Sequence, residues 1–171
     1  GAYINNSTIE LRNENIAALT QKMNGAGWQV LRDSTVYVER GCDSIAITGI
    51  DFGEELLRYK HSMDAVNGIN VERIYNNVPP KLFNITISHL PQLWNVLSES
   101  GNSDLTLSGH IHSMQMKFFG FSPARFMYEY WSGLYDNGKG KLYINDGIGC
   151  VGFIARFGAR PEITVIELLC R

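Results

Sequence analysis

The stretch LFNITISHLPQLWNVLSESGNSDLTLSGHIH, residues 82–112, decides the fold class. It begins with a mostly apolar, β-branched run, continues with a segment that places proline at the start of an expected helix, and ends with a second short apolar run, DLTLS (104–108). Short apolar runs are typical of strands buried on both faces, and proline is favoured in the first turn of a helix. The order strand, helix, strand predicts a βαβ unit with two neighbouring parallel strands.

The segments on either side of this unit extend the prediction to an α/β fold, a mixed sheet with flanking helices. Upstream, Ile16, Leu19 and Met23 recur at helical spacing before NGAG, which predicts a helix over 14–24. No repeat or linker interrupts the pattern, so residues 1–171 are predicted to form a single domain. Further strands are predicted at WQVL (28–31), TVYVE (35–39), SIAITGI (44–50), KLYIND (141–146) and EITVIELLC (162–170), and further helices at EELLRY (54–59) and VERIYNNV (71–78).

The composition argues against several classes of protein. Fifteen Lys and Arg residues against seventeen Asp and Glu residues give a formal net charge of −2, and no basic run exceeds two residues. The sequence therefore predicts no surface for nucleic acid or for anionic membranes. Cys42, Cys150 and Cys170 are odd in number and widely spaced, which predicts reduced thiols in the core in place of a disulfide or zinc framework. No stretch approaches the roughly 20 apolar residues that span a bilayer.

Three of the four histidines follow the two predicted parallel strands. His89 comes just after NITIS, and His110 and His112 come just after DLTLS. The carboxyl ends of parallel strands meet at one edge of a sheet, which is where open α/β sheets bind ligands. Alternate residues of an extended segment point the same way, so His110 and His112 are expected on one side of their loop. Three imidazoles at one edge predict nitrogen ligands for Zn, Fe or Mn.

A histidine after a strand also has a simpler interpretation, as a hydrogen-bonded loop residue, and an H-x-H pair alone is a weak signal. The simpler interpretation is preferred for His61, which lies in the polar stretch RYKHSMD (58–64). It suits three histidines at one sheet edge less well. A metal role is therefore the favoured interpretation for His89, His110 and His112.

Four segments carry a resemblance to a known family, and they occur in the family's order: ITISHLP (85–91), DLTLSGHIHSMQ (104–115), LYINDGIG (142–149) and RFGARPEITVIEL (156–168). They resemble the C-terminal half of the calcineurin-like metallophosphoesterases. The similarity is greatest to a bacterial subgroup with segments that read roughly H-x-P, D-L-x-L-S-G-H-T-H-G-G-Q and R-F-G-x-R-P-E-I. The chain departs from that subgroup at Ser113 and Met114, where two glycines are usual, and at Ile111, where threonine is common. The resemblance implies half of a four-layer α/β/β/α sandwich.

The resemblance also implies a function and a set of ligands. Members of the family are phosphoester hydrolases with two divalent metal ions, here Mn, Fe or Zn. The histidine of H-x-P and the first histidine of G-H-x-H bind one metal in the family, and these roles fall on His89 and His110. The second histidine of G-H-x-H binds the other metal, and this role falls on His112. The substrate would be a phosphate ester.

The family's other motifs, D-x-H, G-D-x-x-D and G-N-H-D/E, do not occur in this sequence. They supply the remaining ligands and the histidine usually assigned as general acid, and YINNSTIEL (3–11) resembles the stretch that follows the third motif. We therefore expect a C-terminal part of the domain that is inactive alone, holds one metal weakly or none, and has the missing N-terminal half as its partner. An open sheet edge would allow self-association. A cytoplasmic or membrane-anchored location would depend on N-terminal residues.

Further positions near this edge are candidates for contact with substrate or with the ligand histidines. Asn145 and Asp146 end a predicted strand at the same edge, where a hydrogen bond to a ligand histidine is one role and a turn at NDG is the favoured one. Arg156 lies in the loop before the last predicted strand, and a guanidinium group suits phosphate. Arg160 lies in the same loop and shares this candidate role, but bracing of the loop by bonds to Glu162 or to backbone carbonyls is the favoured role for at least one of the two arginines.

A protein-interaction scaffold with a metallophosphoesterase-like fold is the alternative function. The departures at Ser113 and Met114 would fit such a scaffold, in which catalysis is weak or absent. Intact upstream motifs in the complete protein would favour the hydrolase.

Overall fold

The computed structural model describes residues 8–51 and 69–169. The chain divides into two compact units, Gly1–Arg32 and Asp33–Arg171. Helix α1 (Ile9–Gly25) belongs to the first unit, and the side chain of Thr8 caps its first turn by accepting a hydrogen bond from the backbone N–H of Leu11, 3.4 Å away. The helix predicted over 14–24 is confirmed, and the Thr8 cap explains why it begins earlier. The single-domain organisation stays a prediction.

The described part of the second unit contains a six-stranded mixed sheet. Its order is β1-β2-β3-β4-β6-β5, with β2, β3, β4 and β6 parallel and the two edge strands antiparallel to their neighbours. The predicted α/β class with a mixed sheet is confirmed. The strands are β1 (Ser34–Arg40), β2 (Asp43–Gly49), β3 (Asn84–Ile87), β4 (Leu105–Ser108), β5 (Gly133–Asp136) and β6 (Lys141–Ile144).

The βαβ unit lies in the middle of this sheet. Helix α2 (Val71–Tyr75) precedes β3, and helix α3 (Trp94–Glu99) connects β3 to β4 after a 3-10 turn at Pro91–Leu93. Strands β3 and β4 pair in parallel, with Ile85 opposite Leu105. Proline begins the connection as expected, because it lacks the N–H that a first helical turn leaves unbonded. The parallel pair predicted from residues 82–112 is confirmed.

The two faces of the sheet differ in how they are covered. Helices α2 and α3 pack on one face, where Leu93 and Leu97 join Ala46 in a buried core and Trp94 packs on Leu142. Threonines on this face are satisfied by hydrogen bonds, as where Thr86 Oγ1 lies 2.8 Å from the hydroxyl of Tyr75.

The other face carries aliphatic side chains that stay partly or largely exposed. A sheet with apolar side chains on both faces normally buries each face against another layer. The described residues thus form helices on a sheet, and the second sheet of a four-layer sandwich stays a prediction. The partly or largely exposed aliphatic residues of this open face are Val36, Val38, Ile45, Ile47, Ile85, Ile87, Leu107 and Leu134, whereas Leu105 on the same face is buried.

Two predicted strands and one burial prediction are wrong. WQVL (28–31) forms no strand, and the N–H of Val30 bonds the side chain of Asn24 at 3.4 Å. Residues 161–169 form no strand either, because a β-rich sequence needs a partner strand and none of the described strands pairs with them. Cys42 and Cys150 are free thiols but exposed, since they lie in a turn and a loop.

Some predictions fall on residues that are not described. These are the helix at 54–59, the loop role of His61 and the core position of Cys170. Within residues 8–51 and 69–169, no helix has the length and apolar character needed to cross a membrane.

Candidate metal centre

The fold brings His89 and His110 into contact. His89 follows β3 and His110 follows β4, each two positions past the strand end. Because these strands are parallel neighbours, both histidines emerge at the same edge of the sheet. Nδ1 of His110 lies 2.9 Å from Nε2 of His89, and the ring centroids are 4.7 Å apart at an interplanar angle of 67°. The arrangement presents two imidazole nitrogens side by side.

His112 lies in the turn after β4 and faces Gly147, which follows β6. A Cβ atom placed on Gly147 would lie 3.1 Å from Nδ1 of His112, and the φ of +76° at Gly147 also favours glycine. His112 is half-buried. The loop after β6 therefore forms a close-fitting seat for this ring.

The electrostatics of the edge favour neutral imidazole at His89. Burial lowers the pKa of His89 below its usual value, and the charge of the nearby His112 lowers it further. A neutral imidazole is the form that binds a metal ion. The protonation state of His89 at neutral pH therefore suits a ligand.

The donor set fits a transition metal in kind but not in number. Imidazole nitrogens suit Zn, Fe and Mn, and the His89–His110 pair provides two of them at one point. In the part of the chain that the structure describes, no group of three or more His, Cys, Asp or Glu side chains converges to hold an ion. The ligand roles of His89, His110 and His112 stay predictions.

Asp146, which follows Asn145 at this edge, is a buried carboxylate with hydrogen-bond partners that the sequence did not predict. Asp146 is 3% exposed, and its Oδ1 accepts a hydrogen bond of 2.6 Å from the hydroxyl of Ser113. Its Oδ2 pairs with the ammonium of Lys117, which also donates to Ser132 Oγ at 2.9 Å. A serine in place of the subgroup's glycine at 113 was the signal available in the sequence.

The side chain of Asn145 forms a turn, and its contact with a ligand histidine stays a prediction. Its Oδ1 accepts a hydrogen bond of 2.7 Å from the N–H of Gly147, and its Nδ2 donates to Thr164 Oγ1 at 3.0 Å. This pattern is an Asx turn of the kind that ends a strand. The side chain thus shapes the seat of His112 through Gly147.

Arg156 bonds backbone carbonyl oxygens of its own loop, and its contact with substrate stays a prediction. Its guanidinium donates to the carbonyl oxygens of Gly149 and Asp146, both at 2.7 Å, and to that of Ala159 at 3.5 Å. These bonds join residues of the glycine-rich loop that follows β6 to one another. Arg160 is exposed.

Glu162 ties the C-terminal segment to the same loop. It accepts hydrogen bonds from the Tyr143 hydroxyl, from Thr164 Oγ1 at 2.7 Å and from the N–H of Asp146 at 2.9 Å. Burial alone would raise the pKa of Glu162, but these three hydrogen bonds outweigh it and lower the pKa below its usual value. The carboxylate is therefore held in its charged form.

Comparison with known proteins identifies relatives that are similar to part of this chain. The chain is 33% identical to the uncharacterized metallophosphoesterase YkuE of Bacillus subtilis over 101 residues. These residues make up 57% of this chain and 35% of YkuE. An uncharacterized metallophosphoesterase of Aquifex aeolicus is 26% identical over 145 residues, 84% of this chain and 51% of that protein. Both of these proteins, to which the chain is similar, are named metallophosphoesterases. No family model and no solved structure matches it.

The metallophosphoesterase relatives are longer than this chain. A further one, from Helicobacter pylori strain J99, is 38% identical over 87 residues, which make up 50% of this chain and 23% of the relative. The chain thus spans about a quarter to a half of the length of the curated metallophosphoesterases that it matches.

Proposed function

We propose that the protein to which this chain belongs is a metal-dependent phosphoester hydrolase, and that the chain supplies the C-terminal part of its two-metal site. The observation that carries the proposal is the pair of imidazoles at the carboxyl ends of β3 and β4, with His110 Nδ1 and His89 Nε2 2.9 Å apart. The similarity to metallophosphoesterases supports the same class of reaction.

Each histidine has a definite part in this proposal. His89 and His110 would hold one divalent ion (Mn, Fe or Zn), and His112 would contribute to holding the second. Two such ions, when bound, would offset the negative charge of phosphoryl oxygens and lower the pKa of a bound water molecule. Neutral histidines leave the bound cations a net positive charge, which attracts an anionic phosphate ester.

The remaining ligands and the general acid come, in this proposal, from an N-terminal half of the domain. The open aliphatic face of the sheet supports such a partner, because Ile87 and Leu134 remain 47% and 62% exposed on it and a second sheet would bury them. Two dications held close together also repel each other unless a bridging carboxylate offsets their charge. Residues 1–171 alone are therefore expected to hold at most one ion weakly.

Hydrolysis of p-nitrophenyl phosphate and bis(p-nitrophenyl) phosphate with added Mn²⁺ or Zn²⁺ tests the proposal. We compare the complete protein, residues 1–171 alone, and His110→Ala and His61→Ala in the complete protein. His110→Ala should lose more than about 100-fold in kcat/KM, since even the hydrogen-bond partners of ligands are worth about 10–100-fold. His61→Ala is the matched histidine control and should keep its activity.

Two outcomes would contradict the proposal. Equal turnover by residues 1–171 and by the complete protein would show that the N-terminal half is dispensable. Absence of activity in a complete protein that binds no metal would favour the alternative, a protein-interaction scaffold.

A further inference from the structure

The turn that carries His112 has a backbone that side chains rarely adopt. Four consecutive residues, none of them glycine, have positive φ: His112 at 52°, Ser113 at 50°, Met114 at 50° and Gln115 at 58°. Residues with a Cβ atom have a higher conformational free energy in this left-handed region than in the right-handed one. A run of four needs contacts that hold it in place, and such strain is often kept where a side chain must be aimed.

Ser113 provides one of these contacts from inside the turn. It is fully buried, and its hydroxyl donates to Asp146 Oδ1 at 2.6 Å. Its carbonyl oxygen accepts a hydrogen bond of 2.6 Å from Ser122 Oγ. The residue directly after His112 is thereby bonded on both its side chain and its backbone.

Gln115 provides the other contact, at the far end of the turn. Its Nε2 donates to the carbonyl oxygens of Val151 and Phe153 at 3.0 and 3.2 Å, and its Oε1 accepts from the N–H of Val151 at 2.5 Å. Gln115 therefore fixes the end of the run, whereas Ser113 fixes the part next to His112.

Asp146 is a rigid anchor for the Ser113 contact. Its side chain pairs with Lys117 as well as Ser113, its N–H donates to Glu162 Oε2 at 2.9 Å, and its carbonyl oxygen accepts from Arg156 Nη2 at 2.7 Å. Every polar atom of Asp146 is thus bonded. The next residue, Gly147, is the one that faces the His112 ring.

We propose that Asp146 is a positioning residue: through the hydroxyl of Ser113 it holds the left-handed turn and so sets the direction of the His112 imidazole. A comparison of Ser113→Gly with Ser113→Ala tests whether the Ser113 hydroxyl is needed to offset the strain of the turn. Glycine adopts a φ of 50° without cost, so it keeps the turn's shape without the hydroxyl. Alanine at 113 loses the hydroxyl and keeps the strain. The role of His112 in metal binding rests on the proposed function, whereas the orientation of its ring by Asp146 and Ser113 does not.

The experiment compares Asp146→Ala, Asp146→Asn, Ser113→Ala and Ser113→Gly in the complete protein, because residues 1–171 alone are expected to hold at most one ion weakly. The imidazole ring signals of His112, assigned by His112→Gln, are recorded by NMR, and Co²⁺ binding is followed by visible absorption. Ser113→Ala and Asp146→Ala should shift the His112 signals and weaken Co²⁺ binding by about 10–100-fold, as expected for a residue that orients a ligand. Ser113→Gly should stay closer to wild type in both measurements. Asp146→Asn keeps an oxygen for Ser113 and should fall between Asp146→Ala and wild type.

Asp146→Ala could unfold the protein, because it removes a buried anchor. Ser113→Ala, the smaller change, then carries the test. Unchanged His112 signals in folded Ser113→Ala would overturn the proposal, whatever the protein's metal affinity. Shifted His112 signals in a protein that binds no Co²⁺ in any variant would uphold the positioning role and count against the metal-dependent function.

Discussion

Gly147 offers the sharpest test of the His112 seat, by replacement with alanine. The new Cβ atom would lie 3.1 Å from Nδ1 of His112 and 3.4 Å from Nη2 of Arg156, at a backbone φ of +76°. Gly138 is a matched control, because it has a φ of +77° and no atom within 4 Å of its added Cβ. The two substitutions carry the same backbone strain, so they differ only in the contact.

The expected magnitudes follow from these two terms. A left-handed φ costs an alanine about 1–2 kcal/mol, reduced in part by the smaller entropy of the unfolded chain, so Gly138→Ala should lower the free energy of unfolding by about 1 kcal/mol. Overpacking adds about 1 kcal/mol where a neighbour can move. Gly147→Ala should therefore lower the free energy of unfolding by about 2 kcal/mol in all.

Urea unfolding of both variants gives the difference, and the ring signals of His112 report its cause. In a His112→Ala background the excess loss of Gly147→Ala over Gly138→Ala should shrink, since the main obstacle is gone. Equal losses for the two alanine variants, with unchanged His112 signals, would refute a close seat for this ring.

Three further outcomes are expected from the fold and the site. Leu97→Ala, at a fully buried position, should cost about 3 kcal/mol in urea unfolding, whereas Leu134→Ala, 62% exposed, should cost less than about 1 kcal/mol; equal losses would contradict the burial described. Burial lowers the pKa of His89, and the charge of His112 lowers it further. The unfolded chain therefore takes up a proton at a higher pH than the folded chain, and the free energy of unfolding should fall as the pH drops below 6.5 towards the folded-state pKa. His89→Gln should reduce this dependence on pH, and an unchanged dependence would contradict the lowered pKa. Lys117→Met leaves the charge of Asp146 buried without its cation and should cost roughly 2 kcal/mol, while adding Asp146→Asn should recover part of the loss; no recovery would show that the pairing contributes little.

The sequence predicted those features that depend on local pattern. The βαβ unit follows from apolar runs and a proline at 91, and the contact between His89 and His110 follows from parallel strands that end together. Both predictions use residues that are close in the chain or related by a simple topological rule.

The features that sequence reasoning missed depend on distant partners. Residues 162–170 have β-forming side chains, yet whether a strand forms depends on a neighbour that the sequence pattern cannot identify. The bond between Ser113 and Asp146 joins residues 33 positions apart. Nothing near Asp146 in the sequence indicates that it is buried, and the turn signal of NDG pointed to a different role.

Metal positions in the complete protein test the central claim most directly. Anomalous diffraction from crystals grown with Mn²⁺ locates the ions without regard to activity. We expect two ions, one within about 2.0–2.3 Å of nitrogens of both His89 and His110 and the other bonded to His112. Ions bound elsewhere, with these three imidazoles bonded only to protein groups, would contradict the assignment of this chain to a two-metal phosphoesterase site.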